Sequence, residues 1–175
     1  MVDKLAIYTI IHQPRRLRLP ASQIDPQSSV DQIERSIFDD ALNQYYFEKV
    51  ARYCYHPAIE LFSELVANGL HFSIGITNSF IDQAFQWDPP LIDKLRTLVA
   101  HPNVELVCVE PYHSFIFYID VRKFQGRMRW ARRYLTKVFG KRPEVAETTE
   151  MFMSRHLYCA LEKLGFKATL AEGRG

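Results

Sequence analysis

Three short polar clusters hold the groups from which carboxylate chemistry could be built: His12-Gln13-Pro14, Tyr112-His113-Ser114 and Thr148-Thr149-Glu150. Glu150 follows a short apolar run. A barrel presents a carboxylate in such a place at its mouth, as a nucleophile or as an acid. The alternative is a glutamate in the first turn of a helix, capped by Thr148 or Thr149 and favoured there by the helix dipole. His113, next to Tyr112, can hydrogen-bond hydroxyl groups or donate to a neighbouring carboxylate; it can equally be a satisfied structural histidine. In His12-Gln13-Pro14 the proline fixes the turn, and the two polar side chains before it mark a site where other groups converge on them.

Other chemistries lack their minimal parts. The sequence has no HxxxH or HExxH pair, no CxxC, no GxGxxG and no Walker loop, so no metal and no cofactor is expected. Ser114 is followed by Phe115 and Ile116 rather than by the glycines that a nucleophile elbow needs. Carboxylate chemistry remains.

The elements that must position these groups alternate between strand and helix. Apolar runs at Leu5 to Ile11, His71 to Ile76, Val104 to Val109, Glu144 to Ala146 and Phe166 to Leu170 read as strands. Helical spacing covers Asp40 to Tyr53, Ile59 to Ala67, Phe80 to Phe85, Pro90 to Ala100, Arg122 to Phe139 and Ser154 to Leu164, with Pro57 marking a break and Gly69, Gly140 and Gly165 as stops. Arg15 to Ser36, rich in Pro, Ser and Gln, reads as a long loop over a site. Strand–helix units with short connections predict an α/β fold built on a parallel sheet or barrel, in which ligands meet the C-terminal strand ends. All three polar clusters lie at such ends.

The 175 residues fit one domain, and 47% hydrophobic with 24% charged residues is enough for a core. Cys54, Cys108 and Cys159 are odd in number and widely spaced in apolar surroundings, which predicts reduced core thiols and a cytoplasmic setting. No segment approaches the roughly 18 apolar residues of a membrane span, and the N-terminus is too short in apolar length for a signal peptide. Arg127, Arg129, Arg132 and Arg133 read as a solvated helix face, so neither nucleic acid nor membrane is an expected partner.

An ordered set of motifs carries a family resemblance. His12-Gln13-Pro14 precedes Arg15-Arg16-Leu17-Arg18, and Tyr46 to Val50 leads into Cys54-Tyr55-His56-Pro57-Ala58. Val104-Glu105-Leu106 precedes Tyr112-His113-Ser114, and Phe139-Gly140-Lys141-Arg142-Pro143 precedes Thr149-Glu150. Leu164-Gly165-Phe166-Lys167-Ala168 then leads to Ala171-Glu172-Gly173. Together they resemble the N-terminal part of the α-amylase-like catalytic domain of glycoside hydrolase family 57, over nearly the whole chain. The resemblance implies a partial (β/α)7-type barrel of parallel strands, with residues 1–175 its N-terminal portion and its C-terminal strands absent from this chain. It also implies retaining hydrolysis or transfer on α-1,4-glucans. By resemblance Glu150 matches the nucleophile, and His12, Gln13, Tyr112 and His113 line the sugar site. The general acid is then an aspartate beyond residue 175. Glu172 is read as a supporting residue.

A rival from another class is a catalytically inactive carbohydrate-binding or interaction module on the same barrel. A third, a polysaccharide deacetylase-like metal enzyme, lacks its ligand pair. A barrel interrupted after five strands leaves unpaired edges, and self-association through them is expected.

Overall fold

The computed structural model describes residues 6–18, 25 and 27–173. Five strands form one parallel sheet: β1 (Tyr8–Ile11), β2 (Phe72–Ile76), β3 (Val104–Val109), β4 (Val145–Glu147) and β5 (Ala168–Leu170). Each pairs with its successor in sequence, in the order β1-β2-β3-β4-β5. A doubly wound sheet would reverse this order at a switch point; sequential addition is the barrel pattern. The chain is thus α/β, with the strand order of a partial barrel.

The helices fill the connections. They are α1 (Val30–Ile37), α2 (Asp40–Val50), α3 (His56–Ala67), α4 (Asn78–Trp87), α5 (Pro89–Ala100), α6 (Val121–Phe139) and α7 (Arg155–Lys163). Their starts follow from side-chain oxygens that accept otherwise unpaired amides: Asp39 caps α2, Thr77 α4, Asp120 α6 and Ser154 α7. Gly69, Gly140 and Gly165 end helices at φ 97°, 69° and 74°, a region that costs glycine nothing.

The sheet packs into a single core. Ile74 and Ile76 of β2 and Leu106 and Cys108 of β3 join Met128, Ala131 and Leu135 of α6 and Leu91, Leu95 and Leu98 of α5. Phe47, Tyr55, Phe80 and Trp87 form an aromatic cluster among α2, α4 and the turn before α3.

Several expectations change. Residues 30–36 of the expected loop belong to α1, because Ser29 and Gln32 form a reciprocal capping box; residues 19–24 and 26 lie outside the described residues. Pro57 makes no break. A π-helical turn, Ala51–Tyr55, joins α2 to α3, and the His56 amide bonds to Ala51 O. Pro57 then falls in the first turn of α3, where a missing N–H costs nothing. Cys108 is a buried core thiol, but Cys54 is exposed on the π-helical turn and Cys159 is half-buried. Arg132 is buried, not solvated: it holds the carbonyls of Pro143, Leu164 and Gly165 at 2.8, 2.9 and 3.2 Å. β4 lies one residue later than expected, which brings Glu147 into the sheet opposite Val109. Among the described residues no helix is long and apolar enough to cross a membrane.

Candidate active site

The C-terminal ends of β1, β3 and β4 bring the polar clusters together. The turn after β3 is built around Glu110, whose carboxylate is fully buried. It accepts the amides of Tyr112 and Ser114 at 3.0 and 2.7 Å and receives Arg127 Nη1 at 3.1 Å. Arg127 also donates to Ser114 Oγ at 2.9 Å. These charge-assisted bonds hold His113 at φ 52°, in the left-handed region that costs a non-glycine residue about 1–2 kcal/mol.

The turn after β4 has the same character. Glu150 and Met151 sit at φ 59° and 53° in a single 3-10 turn, Thr149–Met151. Among the bonds that hold it in place, Thr149 Oγ1 donates to Ser114 O at 2.8 Å, Thr148 Oγ1 donates to Phe152 O, and the Glu172 amide donates to Met151 O at 3.1 Å. Three strained non-glycine residues at two neighbouring strand ends are the kind of conformation that functional sites retain. The helix-capping alternative for Glu150 does not apply, since α7 starts at Arg155 with Ser154 as its cap. The Glu150 side chain is exposed and has no hydrogen-bond or ion-pair partner among the described residues.

His12 stacks on His113, with ring centroids 5.0 Å apart and planes inclined by 29°. Its Nδ1 lies 3.1 Å from Thr77 Oγ1, a hydroxyl that itself donates to Ile11 O at 3.4 Å. Assigned from that network, neutral His12 carries its proton on Nδ1 and leaves Nε2 as an acceptor. Burial, and then the neighbouring His113, hold the His12 pKa below its ordinary value.

A further carboxyl group faces His113. Glu147, the last residue of β4, is 3% exposed and accepts Tyr8 Oη at 2.5 Å. The Met151 amide, which donates to Thr148 O at 2.9 Å, lies close enough to favour its charge, and His113 and Glu150 face it closely enough for their own charges to act on it. Burial pushes its pKa up; the Tyr8 bond, His113 and the Met151 amide oppose this without cancelling it. Burial and Glu147 likewise push the Tyr8 phenol far above its ordinary range.

Tyr8 reaches β4 from β1 through the space that Gly75 leaves on β2. A Cβ at Gly75 would overlap Tyr8 Oη and Val109 Cγ1. Neither Tyr8 nor Glu147 stands out locally: Tyr8 reads as one more apolar strand residue, and the expected β4 ended at Ala146.

The other expected site residues diverge. Tyr112 is exposed, stacks on Trp130 at 6.1 Å and lies under Arg127. With His12, Arg15, Glu34, Phe38 and Asp82 it lines a cavity of about 670 Å³. The Arg15–Glu34 ion pair forms part of its wall. Gln13 turns away from this cavity into the helical layer, where its buried Oε1 accepts Tyr55 Oη at 2.6 Å.

Beside the Glu150 turn, Phe152 stacks on Phe117 at 5.6 Å and packs against Tyr118 at 5.0 Å, which leaves Phe115, Tyr118 and Phe152 as an exposed aromatic surface. Among the described residues no group of three His, Cys, Asp or Glu side chains could hold a metal ion.

Comparison with known proteins places this arrangement in a family. A Methanocaldococcus jannaschii protein named "Putative alpha-amylase" is 29% identical over 165 residues, which is 93% of this chain and 34% of that protein. The chain therefore spans about a third of the length of this curated relative. In structure it resembles 4-alpha-glucanotransferase from Thermococcus litoralis, with a TM-score of 0.69 and 16% identity over 94% of this chain and 21% of that one. It also resembles the alpha-amylase AmyC from Thermotoga maritima, with a TM-score of 0.67 and 12% identity over 97% and 39% of the two chains. These two likenesses establish a shared fold. The model of glycosyl hydrolase family 57 matches residues 6–175, and the chain belongs to that family.

Proposed function

We propose that residues 1–175 are the N-terminal portion of a barrel that cleaves or transfers α-1,4-glucans with retention of configuration, and that Glu150 is the nucleophile. The observation that carries this reading is the stacking of His12 on His113, which faces Glu147 and whose turn is bonded to the strained turn of Glu150. Retaining chemistry needs a carboxylate that attacks the anomeric carbon and a second carboxyl group, about 5–5.5 Å away, that protonates the departing oxygen. Glu150 supplies the first. The acid is an aspartate beyond residue 175. His12 Nε2 and the His113 ring hydrogen-bond the sugar hydroxyls, Tyr112 closes the adjoining cavity, and the exposed rings of Phe115, Tyr118 and Phe152 offer flat surfaces for the apolar faces of pyranose rings. Hydrolysis and transfer then differ in whether water or a sugar hydroxyl resolves the glycosyl-enzyme.

Glu150→Gln in the full-length protein tests the assignment. It keeps the side-chain shape and removes the attacking charge, so glucan cleavage should fall on the order of a thousand-fold or more, while folding and glucan binding persist. Trapping a 2-fluoro glycosyl group on Glu150, located by peptide mass, would establish the covalent intermediate. Cleavage that survives the substitution overturns the nucleophile. One observation favours a second reading, the inactive sugar-binding module: no donor steadies the Glu150 carboxylate among the described residues. A full-length wild-type protein that retains glucans on an affinity gel yet releases no reducing sugar would establish that reading instead.

A further inference from the structure

We propose that Glu147 is a positioning residue of this site: clamped by Tyr8 through the gap at Gly75, its ionised carboxylate holds the turn that carries Glu150 and faces His113. The inference deepens the reading of Glu150 as the nucleophile and rests on it.

Three independent features of the structure converge on Glu147. First, the clamp crosses the sheet. Tyr8 belongs to β1 and Glu147 to β4, and the phenol reaches the carboxylate at 2.5 Å only because β2 carries glycine where a methyl group would occupy its path. Secondly, Glu147 immediately precedes the turn in which Glu150 and Met151 both hold strained positive φ, and the Met151 amide, which donates to Thr148 O at 2.9 Å, lies close enough to the carboxylate to favour its ionised form. Such a turn persists where its surroundings over-determine it, and misplacing a reacting group by about 1 Å can cost on the order of 100-fold in rate. Thirdly, the carboxylate is 3% exposed, yet among the described residues none of its hydrogen bonds comes from a lysine or arginine. A buried carboxylate without a full counter-charge costs stability, and sites that retain one do so for function.

Among the described residues the groups facing Glu147 are few. Tyr8 approaches from β1, His113 from the loop after β3, and Glu150 and the Met151 amide from the turn after β4; His12 lies behind His113. Tyr8, Met151 and His113 favour the ionised carboxylate, whereas burial and Glu150 favour the protonated form. When Glu147 takes up a proton as the pH falls, the attraction to His113 is lost and the pull on the Met151 amide weakens. The turn of Glu150 then loosens. Activity therefore has an acid limb that follows Glu147.

Removing the Tyr8 hydroxyl withdraws a donor from the ionised form, raises the Glu147 pKa and moves that limb to higher pH. The experiment compares kcat–pH profiles of the full-length wild-type protein with Tyr8→Phe, Gly75→Ala and Glu147→Gln, with Glu150→Gln in parallel and thermal melts of all five. Tyr8→Phe and Gly75→Ala are chemically unrelated but loosen the same bond, so both should shift the acid limb to higher pH. Glu147→Gln resembles the protonated state. It should lower kcat about 10- to 100-fold with little change in KM, abolish that limb and leave the melting temperature at pH 7 unchanged or raised.

An acid limb that stays in place in Tyr8→Phe, a substitution that deletes a single oxygen, overturns the role even if the other variants fail to fold. Full kcat in Glu147→Gln also overturns it, as does a fall in melting temperature with an unmoved limb, which marks a purely structural residue. If these results appear while Glu150→Gln abolishes cleavage, the role of Glu147 fails alone. If Glu150→Gln keeps full cleavage, the nucleophile assignment fails and the role of Glu147 fails with it.

Discussion

Glu110 carries a carboxylate with no access to solvent, and every bond it makes serves the turn that presents His113. Breaking a buried pair by deleting one partner leaves the other charge uncompensated, at a cost of about 3–5 kcal/mol. Glu110→Ala should lose stability of that order in a urea titration, and a loss below about 1 kcal/mol would show that the turn is held by other means. His12 yields a second expectation at this scale. Its pKa is lowered in the folded state, so below its ordinary value of 6.5 the unfolded chain takes up the proton more readily. The stability contribution is present above that pH and is lost as the pH falls through 6.5 towards the folded pKa. Melting temperatures between about pH 7.5 and 5 should decline for the wild type, and His12→Gln should decline less. His12 and His113 were legible in the sequence because each stands just beyond an apolar run. Gln13 was not, since its neighbour in sequence faces the cavity while its own side chain meets Tyr55 in the helical layer.

Among the elements, the turn after β4 holds the most strain. Met151 is exposed at φ 53°, and glycine there would relieve a penalty of about 1–2 kcal/mol while freeing the neighbouring Glu150. Met151→Gly should therefore raise stability by about 1 kcal/mol in denaturant while lowering kcat in the full-length protein. A loss of stability would mean that the Met151 side chain contributes more than its backbone costs. Helix ends were readable where the signal is local: the helix expected from Ser154 starts one residue later, with Ser154 as its cap, and Gly140 stops α6 as expected. α1 was hidden because its polar residues resemble a loop unless Ser29 and Gln32 are read as a pair. Pro57 misled because the π-helical turn before it absorbs the break that proline normally forces.

At the scale of the molecule, β1 and β5 each have one strand neighbour in the sheet among the described residues. The 175-residue chain expressed by itself should therefore associate through these edges, giving species larger than 20.5 kDa by light scattering after size exclusion. A monodisperse monomer with a single cooperative melt would contradict this. The sequence by itself determined the strand–helix alternation, the placing of His12, His113 and Glu150 at strand ends, and the resemblance that the family match bears out. Those properties rest on neighbours within one element, where spacing and composition are local. Tertiary structure alone decided that Gln13 faces the helices, that β4 includes Glu147, and that Tyr8 meets Glu147 across Gly75. These depend on strand register, in which a slip of one residue sends a side chain to the opposite face, and no pattern within a single segment specifies the register of its partners.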